Sequence, residues 1–187
     1  MARTISEHIV DHWHWPDGHG IKRINVALPG GGSHGAFTWG VLDGLLADSR
    51  IAIEAISVTS AGAANAIVVA EGLTRGGPEF ARERLRQFWR TVSDEASASP
   101  IQRTAVDVLL QNWSLDTNPA LMAFEMMSRV VSPYQFNPLN FNPLRNALTA
   151  VVDFDKLRHA VCPIKLFLSA TNVRTGKVKV FDNDALS

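Results

Sequence analysis

The feature that most constrains this chain is the glycine-rich segment at residues 30–35, Gly-Gly-Gly-Ser-His-Gly. Residues 24–28 precede it and predict a short buried strand, and apolar residues recur at helical spacing from Ala36 to about Asp48. Three successive glycines leave the backbone bare and able to adopt positive φ angles. Their N–H groups, with the helix N-terminus behind them, can therefore face an anion. That anion is either a bound phosphate or the oxyanion that forms when an ester carbonyl is attacked.

A serine lies at the next junction between a strand and a helix. Residues 51–58 predict the strand, a helix is predicted from Ala61 to about Leu73, and Ser60 stands at the turn. At such a sharp turn, a nucleophile elbow, a serine is strained and its hydroxyl is exposed. A lone serine here is more often a helix N-cap. With three glycines about 30 residues upstream, the nucleophile becomes the better interpretation.

The order of these elements predicts an α/β sheet. The middle of the chain is mostly helical, because several prolines stand where a first helical turn tolerates them. The predicted helix starts are Pro78, Pro100, Pro119 and Pro143, and Asn118 and Asn142 are predicted N-caps. Asp153 is predicted to cap a helix that ends at Val161. Residues 163–170 and 177–181 are predicted to be two more strands, with a turn at Thr175-Gly176.

Composition narrows the classes of function. Lys+Arg and Asp+Glu both number 18, so charge does not favour nucleic acid as a partner. Cys162 is the single cysteine and can form no internal disulfide. No apolar stretch approaches the roughly 18 residues of a membrane span, and residues 1–20 lack the apolar core of a secretory signal. We expect a cytoplasmic protein with a polar arm at residues 1–20 and one domain at residues 21–187.

The glycine segment also fits a dinucleotide-binding fingerprint. Gly30, Gly32 and Gly35 would be its glycines, and Glu54 stands near the expected distance for a ribose-binding acid. However, residues 55–58 continue the strand beyond Glu54, whereas a ribose-binding acid belongs at the tip of a strand. A nucleotide- or phosphate-binding α/β module stays an alternative, and a tight turn without a ligand is a third interpretation of the glycines alone.

Together the two motifs resemble the patatin-like phospholipase family, in particular its bacterial members. The resemblance is carried by residues 28–37, Leu-Pro-Gly-Gly-Gly-Ser-His-Gly-Ala-Phe, and residues 56–63, Ile-Ser-Val-Thr-Ser-Ala-Gly-Ala, and it extends from about Ile24 to the last residue. It implies a three-layer α/β/α fold, incomplete in this chain, and a Ser–Asp dyad. Carried over by position, Ser60 is the nucleophile of a serine carboxylic-ester hydrolase.

The remaining motif residues take supporting positions. The resemblance implies an oxyanion hole formed by backbone N–H groups of Gly30, Gly31 and Gly32. The other residues of the two motifs are Ser33, His34, Gly35, Thr59, Ala61 and Gly62. It further implies an acyl-enzyme intermediate, fatty-acyl esters or phospholipids as substrates, and no metal or cofactor. Peripheral contact with a membrane stays an open alternative. We expect the rest of the same protein to be a partner of this segment.

The chain departs from the family pattern in three places. His34 replaces the usual arginine or lysine, so a fixed charge becomes a titratable one. Val58 replaces the first glycine of the elbow, and its branched side chain can crowd the turn. The catalytic aspartate of the family lies in an Asp-Gly-Gly or Asp-Gly-Ala motif, and no such motif follows Ser60.

Other aspartates do not replace the missing one. Asp17 and Asp43 precede glycines but lie before Ser60, and Asp182 and Asp184 lack the motif. We therefore expect the catalytic aspartate beyond residue 187 and little activity in this chain alone. A non-catalytic lipid-binding or partner-binding member of the family is the alternative.

Three further patterns have an ordinary interpretation and a functional one. Asp153 or Asp155 could join His159 in a Ser–His–Asp triad, but Asp155 and His159 stand at i and i+4, a spacing typical of surface pairs. The arm histidines His8, His12 and His14 lack a convincing further metal ligand. A predicted helix has an apolar side that fits core packing or, alternatively, a wall or lid for acyl chains. Its residues are Leu121, Met122, Phe124, Met126, Met127 and Val130, with Phe136, Leu139 and Phe141 in the loop that follows.

Overall fold

The structure is a computed structural model that describes residues 20–97, 109, 122–123, 126, 142–159 and 161–183. These residues form a mixed four-stranded sheet and helices, which confirms the predicted α/β fold. The chain divides into two compact units, residues 1–89 with 148–187, and residues 90–147. Apart from Gly20, the predicted arm lies outside the described residues. The domain bounds 21–187 stay a prediction.

The first unit begins with a β-α-β segment. Its elements are β1 (Lys22–Leu28), a 3-10 turn (Gly32–His34), α1 (Gly35–Ala47) and β2 (Ile51–Thr59). The predicted strands and helix are confirmed to within two residues at each end. Strands β1 and β2 pair in parallel. The order of the predicted elements therefore corresponds to neighbouring elements in space.

The apolar residues of α1 are divided between the core and the surface. Leu42 and Leu46 are buried, whereas Phe37 and Val41 are 79% and 46% exposed. All four stand at helical spacing in the sequence, which predicts one apolar face. The structure shows that this face is wider than the surface the helix buries, so Phe37 and Val41 remain accessible to solvent.

The second long helical segment, α2 (Ala61–Ser97), comprises two helical stretches, and the first runs a few residues beyond its predicted end near residue 73. The segment is interrupted at Gly77, whose φ of 86° is not helical, and Pro78 then starts a second helical stretch as predicted. The two stretches pack closely near the break, because a Cβ at Gly72 would lie 2.4 Å from the Cα of Ala81. The segment Thr-Arg-Gly-Gly at residues 74–77 thus leads into the break between the two helical stretches.

The sheet continues with β3 (Lys165–Thr171) and β4 (Val178–Asp182), in the order β1-β2-β3-β4. Strand β3 is parallel to β2, and β4 is antiparallel to β3. The predicted turn before β4 is confirmed by Gly176, which has a φ of 67°. Strands β1, β2 and β3 therefore end at the same edge of the sheet, whereas β4 begins there.

One face of the sheet carries the core of the first unit. Leu28 pairs with Val58, and Ile56 pairs with Leu166, and all four side chains are at most 6% exposed. The helices contribute further apolar core residues, among them Leu42, Leu46, Val68, Val69, Leu73, Leu85 and Phe88. The opposite face has exposed residues in the same register, since Ser57 pairs with both Ala27 and Phe167.

Two short helices have the predicted caps. Asn142 Oδ1 accepts the backbone N–H of Arg145 at 3.0 Å where α3 (Pro143–Val151) begins. Asp153 Oδ1 accepts the backbone N–H of Lys156 at 3.1 Å where α4 (Phe154–His159) begins. Helix α4 ends two residues before the predicted end, and Pro163 stands two residues before β3.

Some sequence predictions fall outside the described residues. These are the helix starts at Pro100 and Pro119, the loop at residues 136–141 and most of the apolar helix at residues 121–130. Of that helix, Met122 and Met126 are described, and they are 58% and 75% exposed, which does not fit core packing at these two positions. Where helices are described, none is long and apolar enough to cross a bilayer.

Candidate active site

The glycine segment and the serine turn emerge side by side from the sheet. Leu28 in β1 pairs with Val58 in parallel β2, so the residues that follow each strand leave the same edge. Gly30 and Ser60 each come two residues after this pair. A Cβ built on Gly30 would lie 3.1 Å from the Cβ of Ser60. The structure thus brings the first glycine of the loop into contact with the predicted nucleophile.

The backbone at Ser60 has an unusual conformation. Its φ is 49°, the left-handed region, and it is the one non-glycine residue with positive φ in the described part of the chain. Such a conformation costs about 1 kcal/mol or more, and it is found preferentially at functional sites. The residue is exposed, and its carbonyl accepts the N–H of Ala63 at 2.8 Å, which starts α2. In the described segments no side chain hydrogen-bonds its hydroxyl.

Close packing of α2 against the end of β1 supports this turn. A Cβ on Gly62 would lie 2.7 Å from the carbonyl oxygen of Leu28 and 3.0 Å from that of Pro29, so this position requires glycine. Thr59, the last residue of β2, is exposed, and its Oγ1 would lie 3.3 Å from a Cβ on Gly30. The helix therefore lies directly against the backbone that leads into the glycine loop.

Val58 does not crowd the turn. Its side chain is 3% exposed and lies in the buried face of the sheet, in register with Leu28 and Leu168. A valine is favourable there because a branched apolar side chain packs well on a pleated surface. The strained turn at Ser60 forms with the valine in place, so a glycine two positions before the serine is not required for it.

The glycine loop is an exposed backbone turn. Gly31 and Gly32 have φ values of 140° and 55°, which residues with side chains rarely adopt. Within the 3-10 turn, the carbonyl of Gly31 accepts the backbone N–H of His34 at 3.1 Å, and the ring Nδ1 of His34 lies 2.9 Å from the same oxygen. Ser33 lies exposed on this turn.

His34 restricts the orientation of one peptide group. A carbonyl oxygen only accepts hydrogen bonds, so Nδ1 must carry the hydrogen in this contact. In a trans peptide the C=O and the following N–H point in opposite directions. The two bonds from His34 to the Gly31 carbonyl therefore hold the N–H of Gly32 away from His34. Sequence reasoning expected a titratable charge at this position and did not anticipate the contact with the backbone.

Two residues that sequence reasoning missed lie behind the loop. Asn65 in α2 is fully buried, and its Nδ2 donates to the carbonyl oxygen of Gly35 at 3.0 Å. Its Oδ1 accepts the indole N–H of Trp89 at 2.8 Å. A Cβ on Gly35 would lie 2.9 Å from the Trp89 ring and 3.1 Å from the Cβ of Ala61. The available sequence signal is the lone asparagine among the small and apolar residues of 63–70.

Asp43, which precedes a glycine in the sequence, forms an ion pair. Asp43 accepts two hydrogen bonds from the guanidinium of Arg82, at 2.9 and 3.1 Å. These bonds lower the pKa of Asp43, and burial opposes the shift. Asp43 also lies eight residues after Gly35, or about 12 Å along α1. It links α1 to α2 and does not approach Ser60.

Two other aspartates are also remote from the serine. Asp153 is the cap of α4, and it interacts electrostatically with Arg75, which stands about 21 Å along α2 from Ala61. The alternative Ser–His–Asp triad therefore loses one of its two candidate acids. Asp182 pairs with Phe167 on antiparallel β4, near the start of β3 and away from the shared carboxyl edge. Asp184 lies outside the described residues.

Glu54 does not lie where a nucleotide site would require an acidic residue. The register between β1 and β2 shifts at Glu54, five residues before the end of β2, and its Oε1 accepts a hydrogen bond from Arg23 at 2.8 Å. A ribose-binding acid would stand at the strand tip beside the glycine loop. The dinucleotide interpretation therefore lacks its acidic residue.

Comparison with known proteins gives one family and one solved structure. The model of the family described as patatin-like phospholipase matches residues 26–186. A chain in the structure of the heterodimeric complex ExoU–SpcU from the type III secretion system of Pseudomonas aeruginosa matches with 18% identity and a TM-score of 0.31. The match covers 87% of this chain and 33% of that one, so this chain spans about a third of its length. No curated protein matches the sequence.

Proposed function

The chain belongs to the patatin-like phospholipase family, and from this premise we propose that it carries the nucleophile and the oxyanion loop of a lipid acyl hydrolase. The observation that carries the proposal is the contact of Ser60 with Gly30, with 3.1 Å between the Ser60 Cβ and a Cβ position on the glycine. An exposed hydroxyl beside bare amides, at the N-terminus of a helix, is the arrangement that acyl transfer requires.

In the proposed reaction, Ser60 Oγ attacks the carbonyl carbon of a fatty-acyl ester. The carbonyl oxygen becomes an oxyanion, and N–H groups of the loop formed by Gly30, Gly31 and Gly32 stabilise it by hydrogen bonds. The C–O bond to the alcohol breaks, the alcohol leaves with the proton of Ser60, and an acyl-enzyme remains. Water then attacks the acyl-enzyme, releases the fatty acid and restores the hydroxyl. Neither step requires a cofactor.

A general base has to take the proton from Ser60 during the attack. Asp43, Asp153 and Asp182 lie elsewhere in the fold and do not serve this role. We propose that the base is an aspartate of the full-length protein beyond residue 187, as the Ser–Asp dyad of the family implies. This chain alone is then nearly inactive.

The surface beside the loop suits a lipid substrate. Phe37 and Val41 are exposed on α1, two and six residues after Gly35, and lie one turn apart on the helix. Exposed apolar side chains next to the reacting groups can contact the acyl chain of an ester or the periphery of a membrane. We propose a fatty-acyl ester or a phospholipid as the substrate.

A fluorophosphonate probe tests the proposal directly, because it reacts covalently with activated serines. The full-length protein should be labelled at Ser60, as located by peptide mass spectrometry, and Ser60→Ala should abolish both labelling and hydrolysis of a 4-nitrophenyl ester. Ser57→Ala is the matched control, since Ser57 is exposed on β2, three residues before Ser60. It should keep full labelling.

The outcomes separate the proposed function from its alternatives. Labelling that persists in Ser60→Ala would refute Ser60 as the nucleophile. Lipid binding by a folded full-length protein with neither labelling nor turnover would support the non-catalytic member of the family. Saturable binding of a dinucleotide, lost in Gly32→Val, would support the nucleotide-binding module.

A further inference from the structure

We infer that Asn65 and Trp89 are positioning residues that align the glycine loop with Ser60. Neither side chain touches the place where a substrate would react, and neither belongs to the two motifs. The side chain of Asn65 is fully buried and has both of its polar atoms engaged, one with the carbonyl of Gly35 and the other with the indole of Trp89. The inference rests on the proposed function, and it deepens that function.

The contacts of Asn65 connect the starts of two helices. Gly35 is the first residue of α1 and directly follows the glycine loop. Asn65 stands five residues after Ser60, in the second turn of α2. A hydrogen bond of 3.0 Å between them fixes how far α1, with the loop at its start, can move relative to the serine. A shift of the loop by a fraction of an ångström would misplace its amides relative to the oxyanion.

Trp89 determines the orientation of the amide. The partner at one side of Asn65 is a carbonyl, which only accepts, and the partner at the other side is an indole N–H, which only donates. A single orientation of the amide satisfies both. The Trp89 ring also occupies the space where Gly35 would otherwise carry a Cβ, at 2.9 Å. One side chain thus both orients Asn65 and packs against the first residue of α1.

Substitutions can separate positioning from mere stabilisation. Asn65→Leu replaces the side chain by one of nearly the same shape and removes both hydrogen bonds. Trp89→Phe removes the indole N–H and part of the ring, and it leaves the bond from Asn65 to Gly35 in place. Leu46→Val is the matched control, since Leu46 is a buried residue of α1 that stands eleven positions after Gly35, about 16 Å further along the helix. All variants are made in the full-length protein and compared by kcat and KM for a short-chain 4-nitrophenyl ester, at temperatures where each is fully folded.

We expect kcat to fall about 30-fold in Asn65→Leu, below the roughly 100-fold that direct loss of an oxyanion donor costs. Trp89→Phe should lower kcat about 10-fold, because Asn65 keeps its bond to Gly35 but loses the partner that orients it. In both variants KM should stay within about twofold, because the interaction acts on the transition state. A decrease of kcat no larger than that of Leu46→Val would overturn the inference, and Trp89→Phe decides it if Asn65→Leu does not fold.

Hydrogen exchange gives a readout that does not depend on catalysis. Amides of the peptide that covers residues 30–36 should exchange faster in Asn65→Leu and Trp89→Phe than in Leu46→Val, which should match the unsubstituted protein. If Ser60 is not labelled in the unsubstituted protein, the proposed function fails, and the exchange result alone then decides the positioning inference. Equal exchange in all variants would overturn it.

Discussion

The glycine loop and the serine turn stand side by side at one edge of the sheet, but they are held in different ways. The serine turn rests on buried packing, since Gly62 lies against the backbone of Leu28, and Val58 is part of the core. The glycine loop is exposed and is held by polar contacts, from His34 to Gly31 and from Asn65 to Gly35. Substitutions at the turn should therefore affect stability first, and substitutions at the loop should affect the reaction first.

In the reaction that we propose, the difference follows from what each region has to present. A side chain on a rigid strand-to-helix turn can be fixed by packing of its neighbours, because the reacting atom is the tip of the side chain. The loop has to present backbone N–H groups, and side chains packed around those groups would block them. Only hydrogen bonds to carbonyls and a first helical residue without a side chain can fix such a loop. The comparison can be tested at four positions.

The largest effect is expected at the serine turn, the region that is held by packing. Gly62→Ala places a Cβ 2.7 Å from a backbone oxygen, so α2 or the end of β1 has to move, and the free energy of unfolding should fall by about 3 kcal/mol. Urea unfolding measures the change. Gly44→Ala is the control, since nothing lies within 4 Å of its Cβ position in α1. It should raise stability by about 0.5–1 kcal/mol. Similar stabilities for the two variants would contradict packing at Gly62.

The next effect is expected at the contact between the two regions. Gly30→Ala puts a Cβ 3.1 Å from Ser60 Cβ and 3.3 Å from Thr59 Oγ1, so the loop and the serine have to separate slightly. Fluorophosphonate labelling of Ser60 in the full-length protein should slow about 30-fold, which corresponds to about 2 kcal/mol of the activation free energy. The melting temperature should hardly change, because the loop is exposed. Gly40→Ala, in open space on α1, should label at the normal rate.

A smaller effect is expected from the side chain that holds the loop turn. Asparagine can place its amide nitrogen where His34 has Nδ1, whereas glutamine cannot. His34→Asn should therefore label at nearly the normal rate, and His34→Gln about fivefold more slowly, which is about 1 kcal/mol for an exposed hydrogen bond. Equal rates for Asn and Gln would show that the contact with Gly31 does not matter.

The smallest effect concerns the ion pair that links the two helices. The Arg82 guanidinium lowers the pKa of Asp43 below its ordinary value of 3.8. The folded state therefore gains stability above that ordinary value and loses it as the pH falls through the lowered pKa. The pair is partly exposed, so Asp43→Asn should lower the free energy of unfolding by about 0.5 kcal/mol at pH 7. The difference from the unsubstituted protein should disappear in acid. A difference that persists at low pH would show that the pair acts by packing.

The sequence predicted the parts of this fold that depend on local patterns. The glycine loop between β1 and α1 and the serine turn between β2 and α2 follow from apolar periodicity, bare glycines and small residues. The adjacency of the two motifs also follows, since parallel neighbouring strands end at one edge. The helical stretch that begins at Pro78 was also predicted, whereas the first stretch was predicted to end near Leu73 and runs a few residues further.

Contacts between distant residues could not be predicted in this way. Trp89 reaches Asn65 from 24 positions further along the chain, and a spacing of that size has no local signature. The bond from His34 to Gly31 is local, but it depends on a φ of 140° that sequence patterns do not specify. The exposure of Phe37 was missed because periodicity shows which residues share a face, not how much of that face is covered.

The left-handed backbone at Ser60 sets the proposed reactivity of this residue against the stability of the fold. Glycine is the residue that adopts a φ of 49° without strain. Ser60→Gly should therefore raise the free energy of unfolding by roughly 1 kcal/mol, and with it the melting temperature. Selection for thermal robustness alone would thus remove the hydroxyl first. The nucleophile that we propose therefore stands at a turn that would be more stable without its hydroxyl.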